Sequence, residues 1–145
     1  MNPYKDTMTV LITTLRQDPT IIANLTYQGF VKVLAPQVVS KIPLPYIVVS
    51  RYAGGSDNDA QSQASDMLMK VTAYTQDDLT LAETLQDAIN SALHYQVPDS
   101  SALTGVGAYA AIYEQTPIED DFVRQNINFI GRGGIYRVRL AEIIS

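Results

Sequence analysis

The chain has one histidine, His94, and no cysteine. Within one copy this excludes a histidine-based nucleophile relay, a multi-histidine metal site, a thiolate metal site and a disulfide. His94 falls at the predicted end of a helix, where its role is that of a cation or donor beside the last carbonyls. Asp57-Asn58-Asp59 begins like a calcium loop, but Ser62 stands where the turning glycine is needed and Leu68 where the closing glutamate is needed. Gly105-Val106-Gly107 has Ala110 in place of a third glycine and precedes a strand, so it lacks the geometry of a phosphate cradle. Glu119, Asp120 and Asp121 are adjacent acids beside Pro117 and read as a solvated turn, not as a catalytic pair. No catalytic residue, metal site or cofactor is expected.

The arginines carry more information. Arg124, Arg132, Arg137 and Arg139 are four of the ten basic residues, and no acid lies between positions 122 and 141. Asp57, Asp59 and Asp66 make the polar stretch ahead of them acidic. With Arg137 and Arg139 on one face of a strand, three readings are open: a solvated sheet face, a head-to-tail contact in which this basic face meets acids of a neighbouring copy, or a lumen through which DNA passes. The candidate interface residues are Asp57, Asp59, Gln61, Gln63, Arg124, Arg132, Arg137 and Arg139.

A length of 145 residues fits one domain spanning 1–145, and 46% hydrophobic against 17% charged residues places the chain among ordinary globular proteins. The formal charge of −5 argues against a nucleic-acid coat, whose affinity depends on neutralising phosphates. The start, MNPYKDTM, holds no long apolar run, so neither a signal peptide nor a membrane span is expected, and synthesis in the cytoplasm is the default.

The elements that must position these residues follow from periodicity. Met8, Leu11, Ile12 and Leu15 recur at helical spacing, predicting a helix over about 4–17 that Asp18-Pro19 ends. Pro19 starts a second short turn, through which Ile21, Ile22 and Leu25 tuck inward. Residues 30–34 are a weak strand, 35–45 a proline-rich connection, and Tyr46 to Tyr52 a confident strand. Gly54 to Ser65 contains no aromatic or branched aliphatic residue and reads as a mobile loop. Met67, Met69, Val71 and Ala73 alternate with polar partners in the next strand. Thr75 and Asp78 suggest a capping box that opens a helix with the stripe Leu81, Leu85, Ala88, Ile89, Ala92 and Leu93, ending near His94 and Tyr95. A strand over 106–115 is broken by Pro117. Two more, over 122–130 and 135–143, are joined by Gly131-Arg132-Gly133-Gly134 as the hairpin connection. The expected class is α+β, an antiparallel sheet with helices packed on one face.

The stretch PLPYIVVS at Pro43 to Ser50, the strand MLMKVTAYT and the Leu/Ala-rich helix, preceded by a short amphipathic helix, resemble the tail-terminator or tail-completion family of tailed bacteriophages. The likeness covers about Tyr4 to Tyr95, and more loosely the later strands. It implies a structural protein and no enzyme, found in the tail or neck of a virion. Copies would form a ring, usually hexameric, bound to the tail tube protein and to the head-to-tail connector or stopper, without sequence-specific DNA binding. The longer loop at 54–65 and the GRGG segment depart from the pattern and leave the contacts open. A head-completion or stopper adaptor is the nearer alternative, and a small ligand-binding module or enzyme the remote one.

Overall fold

The computed structural model describes residues 3–53 and 64–142. The first helix, α1 (Pro3–Leu15), buries Met8, Leu11 and Leu15 as its spacing predicts, and also Thr7 and Val10. Its buried arc is wider than one stripe because α1 packs on the sheet and against the third helix at once. After it, Asp18 Oδ1 accepts the Ile21 N–H at 3.1 Å and Pro19 fills the first turn of α2 (Pro19–Leu25). Ile21 and Leu25 are buried, whereas Ile22, expected inside, lies on the solvent side.

The weak strand at 30–34 is divided. Thr26–Tyr27 (β1) and Phe30–Val31 (β2) make a small hairpin of their own, and Val33–Leu34 (β3) joins the main sheet. A 3₁₀ helix, Pro36–Lys41, lies within the proline-rich connection and packs against the next strand. The main sheet holds β3, β4 (Tyr46–Ala53), β5 (Ala64–Gln76), β6 (Val106–Glu119), β7 (Phe122–Arg124) and β8 (Ile127–Glu142). Its order is β3-β4-β5-β8-β6, with β7 paired to β8. The class is α+β as expected, but the sheet is mixed: β3 runs parallel to β4, and the other pairs are antiparallel. Met67, Met69, Val71 and Ala73 of β5 are buried in the core with Ile47 and Val49 of β4 and Tyr136 and Val138 of β8.

The third helix, α3 (Leu79–Leu93), buries Ala82, Leu85, Ala88, Ile89 and Leu93 in that core, with Leu81 and Ala92 half-buried. Its cap is Asp78, whose side chain accepts the Leu81 N–H at 2.9 Å. Thr75, the expected cap, still belongs to β5 and donates its hydroxyl to the Asp78 carbonyl at 2.7 Å.

Two expectations about the later strands are corrected. Pro117 does not end β6, which continues to Glu119. The strand lies at the sheet edge and its pairing to β8 shifts between Tyr113 and Pro117, where the missing N–H breaks no ladder. The GRGG segment is not a turn but the middle of β8. The β7–β8 turn is Gln125-Asn126, whose φ angles of 52° and 63° match a two-residue hairpin loop. The glycines answer to closeness instead. A Cβ on Gly133 would overlap the Val71 carbonyl oxygen, one on Gly131 would meet the Tyr74 ring at 2.6 Å, and one on Gly134 the Tyr113 ring at 2.6 Å.

This ordering is testable by urea unfolding. Gly133→Ala must push β5 away from β8 and is expected to cost about 3 kcal/mol. Gly29→Ala, at φ 87° with open space around it, should cost only about 1–2 kcal/mol. A reversed order would mean that the GRGG segment is the turn after all.

Candidate assembly interface

The register places Arg137 and Arg139 on the face of β8 that turns away from the helices, alternating with the buried Tyr136, Val138 and Leu140. On that face the charge of Arg137 is paired within the chain. Arg137 Nε donates to Glu114 Oε1 at 2.6 Å and its Nη1 to Asp66 Oδ2 at 3.3 Å. Asp66 stands opposite Arg139 in the β5–β8 pairing, so one carboxylate serves this end of the face. Arg139 itself is exposed and makes no ion pair among the described residues.

Arg132 has the opposite parity and projects to the helix side, where Nη1 donates to Asp121 Oδ1 at 2.6 Å. Hydrogen bonding from Arg132, and after it the Gly131 N–H, holds the Asp121 carboxyl below its ordinary pKa. Arg124 is separate again, its guanidinium 5.4 Å from the centre of the Phe122 ring at the β7–β8 hairpin. The structure therefore brings only Arg137 and Arg139 together. Asp57, Asp59, Gln61 and Gln63 lie outside the described residues, as does the Asp57-Asn58-Asp59 motif.

Other polar groups are committed to the fold. Tyr74 donates to Asp120 Oδ2 at 2.6 Å, and burial, with that bond second, raises its pKa. The His94 backbone N–H donates to the Asn90 carbonyl at the helix end, but its side chain does not serve there. Its Nδ1 accepts the Tyr113 N–H at 3.0 Å, while the Tyr95 N–H donates to the Ala111 carbonyl and the Ala111 N–H to that of Gln96. The segment after α3 thus closes part of the outer edge of β6. Lys32 is buried, donates to the Pro43 carbonyl at 3.1 Å and lies 5.3 Å from the Tyr27 ring centre.

Concavities occur among the described residues. A groove of about 410 Å³ runs between α1 and the start of the 3₁₀ helix, lined by Met8, Ile12, Arg16, Ala35 and Gln37 among others. A smaller one of about 260 Å³ lies between α3 and β6, where Tyr136 donates to Asn90 Oδ1 at 3.1 Å and Gln86 to the Gly133 carbonyl at 2.8 Å. The polar groups of the second bind one another, and neither concavity holds a nucleophile beside a base. Among the described residues no group of three or more His, Asp or Glu is placed to hold a metal ion, and no helix is long and apolar enough to cross a membrane.

What composition and periodicity do not reveal is a set of exposed apolar side chains: Tyr95 at 75% exposure, Val97 at 69%, Val123 at 69% and Tyr52 at 51%. Strand and helix patterns mark what is buried; Tyr95 and Val97 lie beyond the end of α3, Tyr52 near the end of β4, and Val123 within the three-residue β7, too short to show a pattern.

A mixed sheet with helices packed on one side defines the α+β class. Comparison with solved structures agrees on the fold. A chain of a structure described as the virion of a native gene transfer agent (GTA) particle superposes with a TM-score of 0.65 over 92% of this chain and 93% of that one, at 11% identity. A second solved chain, also 11% identical and covered to 96% on both sides, reaches a TM-score of 0.47 and carries no argument. No family model and no curated protein matches the sequence.

Two expectations follow. Arg137→Glu places a carboxylate beside Glu114 and Asp66 and should lower stability by about 1 kcal/mol in chemical denaturation, while Arg139→Glu should be near neutral. Equal effects would mean that the Arg137 pairs do not form in solution. Hydrogen bonding from Ser101 and Gln17 holds Asp99 at about 2, and Asp121 is also depressed. An aspartate lowered on folding contributes stability that is complete above its unfolded pKa and lost as pH falls through the folded one. The melting temperature should therefore fall between about pH 4 and pH 2, and Asp99→Asn with Asp121→Asn should flatten that fall. A profile unchanged in the double variant would contradict both contacts.

Proposed function

We propose that copies of this chain form a ring that caps the tail tube of a phage-type particle and joins it to the head-to-tail connector. The observation that carries the reading is the likeness, over nearly the full length of both chains, to a chain in the structure of a gene transfer agent virion. The resemblance of PLPYIVVS, MLMKVTAYT and the following helix to tail terminators supports the tail end over other parts of a particle. On this reading the chain is a single structural domain that acts by binding and not by catalysis. It is made in the host cytoplasm and incorporated in the tail or neck, and its partners are further copies of itself, the tube protein and the connector. DNA passes the lumen without sequence readout, in keeping with a net charge of −5.

The test is the native mass of the purified protein, alone and mixed with tail tubes of the same particle, with negative-stain images of both. Closed rings or density at one end of each tube are expected. A monomer that leaves every tube bare would overturn the reading.

A further inference from the structure

Two stretches of this chain, one toward each end of the strand order, differ in charge. From Pro19 to Ser56, the stretch that supplies β3, the 3₁₀ helix and β4, there are three bases (Lys32, Lys41, Arg51) and no acid. From Tyr95 to Val123, the stretch that supplies β6 and the segment closing its edge, there are five acids (Asp99, Glu114, Glu119, Asp120, Asp121) and no base. Contacts within the fold engage some of these: Lys32 is buried against Pro43, Arg137 pairs with Glu114 and Arg132 with Asp121. Lys41 and Arg51 remain exposed on one side, and Glu119 on the other. β3 and β6 stand at opposite ends of the strand order, four strand spacings apart, about 19 Å.

Each edge also carries exposed apolar side chains, Val38 and Tyr52 on the basic side, Tyr95 and Val97 on the acidic side. Tyr95 is the most telling. Its φ of 58° puts a bulky residue in the left-handed region just past the end of α3, where glycine is the ordinary choice. Its ring stays 75% exposed, touching His94 at 4.2 Å between centroids. A strained backbone that holds an aromatic ring out in solvent gives the isolated chain little; at an interface it supplies a rigid anchor.

We propose that the acidic edge of one copy, anchored by Tyr95 and Val97, docks on the basic edge of a second copy, formed by the 3₁₀ helix and the outer half of β4. The occupant is a second copy of this chain because the two edges complement each other in charge and both present apolar groups. Two like edges would instead set acid against acid or base against base, so the contact is head-to-tail and repeats from copy to copy. Among the described residues β3 pairs with Ile47 and Val48 of β4, and the stretch from Val49 to Ala53 lies beyond that pairing. This deepens the ring reading above and rests on it only for its place in the particle.

The experiment measures the mass of the full chain against concentration, and the decoration of tubes, for wild type and for two single-edge variants. Tyr95→Gly removes the anchor at a position whose geometry favours glycine, so its melting temperature should hold while the concentration for half-assembly rises about tenfold or more. Tyr95→Asn, also tolerated at positive φ, should behave alike and guards against a folding defect. Lys41→Glu/Arg51→Glu should fail to assemble through the other edge, and a mixture of it with Tyr95→Gly should give one-to-one dimers, each holding one intact contact. Variants that assemble as wild type does, a mixture that stays monomeric, or a wild type that never self-associates would each overturn the proposal. The two readings separate cleanly. Wild-type and Tyr95→Gly proteins that cap tubes equally would sink the edge contact and keep the cap, and Tyr95-dependent oligomers that leave tubes bare would do the reverse.

Discussion

The approach of β5 to β8 is the constraint on which the remaining structure depends. β8 is hydrogen-bonded on both flanks, to β5 along thirteen register positions on one side and to β6 and β7 on the other. At Gly133 the Val71 carbonyl occupies the volume a Cβ would need. That closeness lets Tyr74 lie over Gly131 and Tyr113 over Gly134, and it exposes the Gly133 carbonyl to the Gln86 amide, which ties α3 to the middle of the sheet. The helix is fixed at its start as well: the Asp77 N–H donates to the Asn128 carbonyl beside the β7–β8 turn. One strand thus sets the position of both hairpins and of the helix whose apolar face completes the core.

The same strand decides which charges are free. Arg132, on the helix side, reaches Asp121, and Arg137, on the other, reaches Asp66 and Glu114, so two of the four arginines that look like a basic cluster in sequence are paired in space. Arg124 and Arg139 stay exposed and without an ion pair among the described residues. For a chain read as working by contact with copies of itself, which charges stay unpaired matters more than the number of arginines, because charged groups at a rim govern orientation and encounter while apolar anchors hold the contact.

Much of this architecture was legible from residue spacing. The stripes of α1 and α3 and the alternation of β5 report burial directly, since a side chain facing the core has to be apolar whatever lies opposite. Asp18-Pro19 was equally readable, its cap and first turn being local. What was not legible depends on residues far apart in sequence. GRGG has the composition of a turn, and only the position of Val71, some sixty residues earlier, shows why glycine is needed there. Pro117 looks like a strand end, and only the edge placement of β6 makes it tolerable. Of the expected interface residues, Arg137 and Arg139 share a face as parity requires, but the partners of Arg137 and Arg132 are set by strand order, which periodicity does not encode.

Pro117 has a wider meaning for a protein read as building many-copy particles. A sheet edge with a free row of N–H and C=O groups templates the addition of further strands, and at the local concentrations of an assembling virion such growth runs to fibres. Here the middle of the β6 edge is occupied by His94 to Gln96, and a residue without an N–H interrupts it further along. Recruitment of another chain's backbone is discouraged at the end where the exposed side chains invite contact. On the reading proposed above, copies would meet at this edge by their surfaces without merging their sheets.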